Sequence, residues 1–271
     1  MIAWCAKSLT SGRVSAKESL RSDRLFFDPY ASALAGTEGV RLLGDMEQSG
    51  IHSTYLAIRT RFFDDFALRV AHFLHQIVIL AAGMDARAFR LSWPPGTTIF
   101  ELDRQEVLSY KECILREREA IPTCDRRVVC ANLEEPWQGL LHASGFDARS
   151  PALFLVEGLT PYLSLDQVMS LFAELSDTAA VGSHLGVDFA GQSFLDSPST
   201  RTYLSRLSSY GIPWRFGTDD PGQLLEKFGW HAAVTLPGEP DANWGRLPSV
   251  QAAHRSPNSP RSYLVRATLQ K

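Results

Sequence analysis

Cysteine is scarce in this 271-residue chain: Cys5, Cys113, Cys124 and Cys130 are all it has, and no two of them form a Cys-x-x-Cys pair. That excludes a disulfide framework, which a chain of this length does not need, and leaves reduced, mostly buried thiols as the expectation. Metal-ligand clusters are missing too. His72 and His75 stand three apart with no third ligand at suitable spacing, so no metal is expected. The longest apolar run is 77–84, far below the roughly 20 residues that cross a bilayer. Residues 1–9 contain no apolar signal core, so a cytoplasmic location without a membrane partner is expected. Charge of one sign is absent as well. With 27 Lys+Arg against 30 Asp+Glu the formal net charge is −3, which lacks the basic footprint of a nucleic-acid binder.

Hydrophobic residues make up 45% and charged residues 21%, ordinary globular composition with enough chain for one large α/β domain. Residues 1–75 read as a helical cap. Asp28-Pro29 marks a helix start, and 51–74 carries Tyr55, Ile58, Phe62, Phe66, Val70 and Phe73 at helical spacing. From 76 to 190, strand-like runs at 77–81, 98–102, 127–130, 153–156 and 181–187 alternate with helical patterns at 86–91, 105–118, 136–143 and 165–175. That rhythm predicts a doubly wound, mostly parallel sheet. The remainder has an aromatic, Ser-rich stretch at 194–210, a helix at 221–228 and a strand at 230–236. A loop rich in Pro, Gly and Ser follows at 237–260, then a last strand at 262–269. No internal repeat is present. The 237–260 loop is long for a structureless connection, so it reads as mobile or functional.

The segment Val78-Ile79-Leu80-Ala81-Ala82-Gly83-Met84-Asp85-Ala86-Arg87 is an apolar strand that ends in small residues and turns into a helix. In a doubly wound sheet the first such turn meets a nucleotide-like ligand, and small residues let it approach the backbone. Only one Gly is present, so the Gly-x-Gly-x-x-Gly of a dinucleotide loop is missing. A ligand with ribose and adenine but no pyrophosphate suits such a loop, and S-adenosylmethionine is the cofactor expected. Twenty residues beyond Gly83, Asp103 closes the second strand, where a carboxylate can bind a ribose diol or simply cap the next helix. Asn132 follows the third apolar run and can meet the adenine amino group or build a turn. Glu157 follows the fourth; a carboxylate at a buried strand end needs a cationic partner. In Arg59-Thr60-Arg61-Phe62-Phe63-Asp64-Asp65, Arg61 and Asp65 also have the spacing of an intrahelical ion pair.

Taken together, Arg59-x-Arg61-Phe62-Phe63-Asp64-Asp65, Leu80-x-Ala82-Gly83-Met84-Asp85-x-Arg87, Phe100-Glu101-x-Asp103 and Glu157-Gly158-Leu159-x-x-Tyr162-Leu163 resemble the leucine carboxyl methyltransferase family. The closer resemblance is to its bacterial branch, S-adenosylmethionine-dependent methyltransferases associated with polyketides and other natural products. Glu18-Ser19, Leu25-Phe26-x-Asp28-Pro29, Phe216-Gly217-Thr218-Asp219-Asp220-Pro221 and Gly229-Trp230 extend it along the chain. The resemblance implies a class I methyltransferase, an α/β fold with a seven-stranded sheet and one antiparallel strand near its C-terminal end. It further implies a single integrated domain, with 1–75 capping a 76–271 core and a lid insert at about 191–215. Arg61 becomes the partner of the methionine carboxylate, Gly83 the close-approach glycine and Asp103 the ribose ligand. Asn132 and Leu133 become the adenine contact, and Glu157 the acid near the methionine end. Two positions depart from the family pattern: Ala81 stands where it usually has Gly, and Asn132 where it usually has Asp.

The acceptor side is expected to draw on Tyr30, Tyr162, His184, Phe189, Phe194, Tyr203, Tyr210 and Trp214, mostly as wall. His184 and Tyr162 are the catalytic candidates, His184 as a base or a satisfied structural imidazole. The aromatic density of 189–216 favours a flat, apolar small-molecule partner methylated on oxygen. Other readings are methylation of a ring carbon or nitrogen such as an indole's, a carboxylate acceptor including a protein C-terminus, and an inactive S-adenosylmethionine-binding regulator. A nicotinamide oxidoreductase is disfavoured by the missing glycines. No heptad or exposed apolar patch fixes an oligomeric state.

Overall fold

The computed structural model of the chain describes residues 12, 14–47, 54–247 and 259–270. Strands β1 (Gln76–Leu80), β2 (Thr98–Asp103), β3 (Asp125–Cys130), β4 (Leu153–Val156), β5 (His184–Ala190), β6 (Trp230–Thr235) and β7 (Ser262–Leu269) form one sheet of order β3-β2-β1-β4-β5-β7-β6. The first five are parallel, and β7 runs antiparallel to both β5 and β6. This is the expected doubly wound, mostly parallel architecture with one antiparallel strand. Strands β1 and β4 lie at its centre, covered on both faces. That is why they read as unbroken apolar runs, Ile77-Val78-Ile79-Leu80 and Leu153-Phe154-Leu155-Val156, rather than as alternating ones.

Helices α1 (Ala31–Glu47), α2 (Thr54–Ala71), α3 (Arg87–Arg90) and α4 (Gln105–Glu117) precede β3 or lie between the first strands. Helices α5 (Gln138–Ala143), α6 (Leu165–Thr178), α7 (Gln192–Asp196), α8 (Arg201–Ser209) and α9 (Pro221–Glu226) follow. One face of the sheet packs on α6 through Val168, Leu171, Phe172 and Leu175. The other packs on α2 through Ile58, Phe62, Phe63 and Phe66, with Val107 and Leu115 of α4. Helix α6 starts from a reciprocal capping box, Ser164 with Gln167. Helix α1 breaks at Gly36, whose φ of 58° interrupts the helical backbone.

Helix α2 lies along β5 in an antiparallel register. The Phe66 ring meets His184 at 6.1 Å, and Arg59 reaches Asp188 at 2.9 Å. Between them, a Cβ on Gly186 would come within 3.1 Å of the Phe63 ring. Three to four helix residues advance about 4.5–6 Å and two strand residues about 6.6 Å, so successive contacts stay nearly in step.

Several boundaries differ from those read in the sequence. Strand β5 begins at His184 rather than 181 because Gly182 turns the chain at φ 85° and Val181 is 56% exposed. Strand β1 stops before Ala81, which leaves the sheet at φ 52°. Strand β3 starts two residues earlier than expected, paired to β2 from Asp125. The 51–74 pattern becomes α2 at Thr54–Ala71, with 51–53 outside the described residues. The long loop after β6 is structured where it is described: Pro240–Ala242 forms a 3-10 turn whose Ala242 is fully buried. Residues 248–258 of that loop lie outside the described residues.

The segment between β5 and α9 carries α7 and α8, and its two ends touch. The Thr218 N–H donates to the Ala190 carbonyl at 3.0 Å, and a Cβ on Gly217 would lie 2.9 Å from the Gly191 oxygen.

Candidate active site

The strand order reverses between β1 and β4, and a doubly wound sheet binds its ligand beyond the C-terminal strand ends at that point. A cavity of about 240 Å³ opens there, lined by Ala81, Asp103, Asn132, Leu133, Leu159 and Leu163 among others. Asp103 is nearly buried. One carboxylate oxygen accepts the Gly83 N–H at 2.7 Å and the other the Arg104 N–H at 2.8 Å. The cap reading fails, since Arg104 occupies the position before α4 and no side chain caps that helix. Each Asp103 oxygen retains a lone pair for a diol facing it. Asn132 does both things expected of it, lining the cavity and building a turn. Its Oδ1 accepts from Glu134 N at 3.3 Å, and its Nδ2 donates to Glu135 at 3.0 Å.

Beside this cavity, a second space of about 90 Å³ runs under the 81–87 loop, with Gly83 at φ 51°. Its walls are ionic. Glu157 receives Arg59 at 3.0 Å and Arg87 at 2.7 Å. Arg59 also donates to Asp188 at 2.9 Å, while Asp64 takes Arg87 at 2.7 Å and Arg90 at 2.6 Å. Arg87 further pairs with Asp85, and Asp28 stands 3.8 Å from Arg90. Burial by itself pulls the pKa of these guanidiniums down, yet the surrounding carboxylates hold Arg59 and Arg87 above the ordinary arginine value. Burial likewise pushes the Asp28 carboxyl up, whereas Asp85, for all its burial, is drawn down by Arg87, Lys111 and Arg90. Three carboxylates (Asp28, Asp85, Glu157) and three guanidiniums (Arg59, Arg87, Arg90) line the space itself, with Asp64 and Asp188 paired to those arginines from outside the lining. The space therefore offers both signs of charge to a zwitterionic ligand.

Arg61 stands outside both spaces, against its expected role. It pairs with Asp65 at 2.8 Å on its own helix, donates to the Leu25 carbonyl at 2.6 Å and covers the Trp244 ring at 5.8 Å. The i,i+4 alternative describes it, and the arginine two positions earlier faces the ligand space.

A family model described as leucine carboxyl methyltransferase matches residues 8–176. Relatives assigned as S-adenosyl-L-methionine-dependent methyltransferases include one from Mycobacteroides abscessus, 33% identical over 89% of this chain and 88% of its own. Another, from Streptomyces coelicolor, is 34% identical over 92% and 90%. The chain belongs to the leucine carboxyl methyltransferase family. It is an S-adenosylmethionine-dependent methyltransferase. Solved structures share the fold: a DUF574-family protein from Streptomyces avermitilis gives a TM-score of 0.62 at 12% identity, covering 92% of this chain and 97% of that one. A protein assigned as a methyltransferase from Thermobifida fusca gives 0.63 at 18%, covering 92% and 95%.

The residues present fit that cofactor: a carboxylate with lone pairs left for a diol, an apolar slot beside it, and a chamber lined by both carboxylates and guanidiniums for the zwitterionic methionine end. Ala81 lines both spaces of the methyltransferase and adopts φ 52°, a backbone conformation natural to the Gly usual in the family.

On the acceptor side the rings divide. Phe194, Tyr203 and Trp214 meet one another at 5.1–6.3 Å, and Tyr162 joins Trp214 edge-on at 6.2 Å. Tyr210 packs beside them under the Arg41 guanidinium at 5.7 Å. Phe189 does not belong to this group. It is 1% exposed and wedged between Phe172 and Phe216 on the α6 side, because alternation along β5 turns it away from Asp188. Tyr30 packs edge-on against Phe89 in the α2-side core rather than with the rings of the insert. His184 is also displaced: it opens β5, at the edge opposite the ligand spaces, between Phe66 and Phe73. Burial lowers its pKa, as for a structural imidazole.

The sequence reading missed Asp188, Tyr55 and the pairing of Asp64 with Arg87 and Arg90. The available signal was a lone carboxylate inside the apolar run Leu185–Ala190.

Proposed function

We propose that this methyltransferase acts on an oxygen of a flat, largely apolar small molecule, with neither nucleic acid nor membrane as partner. The observation that carries the reading is the aromatic group of Phe194, Tyr203, Trp214 and Tyr162 next to the ionic chamber. Thr160, two residues before Tyr162, donates to the Asp188 carbonyl at 2.8 Å, and the Arg215 N–H meets the Pro161 carbonyl at 2.6 Å. The rings therefore stand over the end of β5 where Arg59 and Asp188 meet. Aromatic walls stack on flat ligands and exclude water.

In this reading Asp103 accepts from the ribose diol, Asn132 and Leu133 bound the adenine, and Ala81 and Gly83 let the cofactor pass close to the backbone. Arg59 takes the place foreseen for Arg61 toward the methionine carboxylate, and Glu157 faces the ammonium. The bound cofactor supplies a methyl made electrophilic by its sulfonium. The chain's own task is to align the acceptor and exclude water, which is worth roughly 7–11 kcal/mol. Burial raises the pKa of Tyr162 and Tyr203, so both keep their protons and can orient an acceptor oxygen by donation rather than remove its proton. His184 opens β5 at the far end of the strand and does not serve as the base. The acceptor oxygen therefore gives its proton to solvent before the site closes and enters as the phenolate, which the tyrosine hydroxyls then orient.

Incubation with methyl-labelled S-adenosylmethionine and a panel of phenols, indoles, carboxylic acids and peptides tests this. O-methylated phenols are expected; label on ring carbon or nitrogen would move the reading to the runner-up chemistry. Labelling of aliphatic acids or peptides alone would overturn the aromatic acceptor.

A further inference from the structure

Asp188 is the most heavily engaged carboxylate on the β5 edge of the site. It is 3% exposed, on the last turn of strand before the insert. One of its oxygens accepts the Gly158 N–H at the end of β4, and the other accepts Arg59 Nη1 at 2.9 Å and the Tyr55 hydroxyl at 3.1 Å. Tyr55 and Arg59 lie one turn apart on α2, with the guanidinium 5.9 Å from the Tyr55 ring. Gly158 is at φ 62°, and a Cβ there would sit 2.9 Å from Arg59 Nη1, so backbone and guanidinium share one tight seam. Gly186 sets the register of that seam two residues earlier, where a Cβ would meet Leu155 of β4 at 2.8 Å and the Phe63 ring of α2 at 3.1 Å and press α2 away from the strand.

We propose that Asp188 is a positioning residue for methyl transfer, fixing Arg59 and the Gly158 amide so that the wall between the cofactor and the acceptor is formed before either binds. Asp188 touches neither reactant in this arrangement; it acts through Arg59. The guanidinium carries five N–H bonds in a fixed plane. With Nε on Glu157 and Nη1 on Asp188, its plane is determined and Nη2 is directed by its two neighbours. Removing the Asp188 charge leaves a buried guanidinium free to swing toward Glu157 alone. The proposal rests on the placement of the methionine carboxylate at Arg59.

The test is a double-mutant cycle read by calorimetric titration with S-adenosylhomocysteine. Asp188→Asn should weaken binding about tenfold, the size of one charged hydrogen bond. In an Arg59→Ala background the same change should weaken it less than about twofold, because the partner it acts through is gone. Tyr55→Phe removes one hydroxyl and should give a smaller loss with the same dependence on Arg59; it carries the test if Asp188→Asn does not fold. A lower melting temperature with unchanged affinity, or an equal loss in both backgrounds, would overturn the proposal. If Arg59→Ala alone leaves affinity unchanged, the placement of the carboxylate falls, and the proposal with it.

Discussion

At the nucleotide end of the pocket the walls come from strand ends and the turns after them: Ala81 follows β1, Asp103 closes β2, and Asn132 and Leu133 lie just beyond β3. At the ionic end they come from distant parts of the chain brought together, with Arg59 and Glu157 98 positions apart and Arg59 and Asp188 129 apart. The first end is a property of local sequence and can form as soon as the sheet does. The second exists only when α2 has docked on β5. Damage at the first end therefore stays local, whereas the second is part of what holds the cap helices to the sheet.

The largest expected effect lies at the ionic end. Asp64→Ala strips the shared partner from two buried guanidiniums and should cost about 3–5 kcal/mol in denaturant unfolding. A loss below about 1 kcal/mol would mean that this end is not integral to the fold. At the nucleotide end, Asp103→Ala should weaken S-adenosylhomocysteine binding by about 1.5–3 kcal/mol and cost about 1–3 kcal/mol in unfolding, because the Gly83 and Arg104 N–H groups lose their acceptor. Arg61→Ala is its control: its half-exposed pair with Asp65 predicts unchanged affinity and a stability loss of at most about 1 kcal/mol.

Ala81→Gly, at the boundary between the two ends, relieves a left-handed Cβ whose strain is about 1–2 kcal/mol, partly offset by the entropy of glycine. A gain of roughly 0.5–1 kcal/mol in stability should result, with affinity equal or better. A loss in both would show that the methyl packs rather than crowds.

The smallest effect tests a residue at neither end. His184 has its pKa lowered in the fold, so below its ordinary value of 6.5 the unfolded chain binds the extra proton first. Stability should fall as pH drops through about 6.5 and below. In His184→Phe that part of the pH dependence should disappear from thermal melts recorded between about pH 7 and 5.5, while cofactor binding at neutral pH stays unchanged.

The same contrast explains what was legible in the sequence. The sheet, the single-glycine loop, and Asp103 at its strand end follow from short-range patterns, and the structure has them where those patterns put them. Arg61 and Arg59 are both arginines on one helix two positions apart. Which one faces the pocket depends on how α2 is rotated on β5, and Gly186 decides that through a contact 123 positions away in sequence from Phe63. Phe189 and Asp188 are neighbours in sequence but on opposite faces. The displacement of β5 hid this, because the expected strand at 181–187 stopped before both residues, whereas the observed one runs to Ala190 and sets them in alternation.

The touching ends of the insert have a consequence for how such a protein diversifies. Its chain leaves the sheet at Ala190 and returns at Thr218 through a direct hydrogen bond, so the detour is closed at its neck. Lengthening, shortening or exchanging what lies beyond the neck changes the closure entropy only logarithmically and leaves the strand register alone. In the proposed reading, Phe194, Tyr203 and Trp214 of the acceptor wall sit on that detour, whereas Tyr162 and the carboxylates assigned to the cofactor do not. If the proposed acceptor wall holds, acceptor preference is largely a detachable module: grafting a relative's 192–216 segment onto this sheet is expected to change the acceptor and leave cofactor binding unaltered.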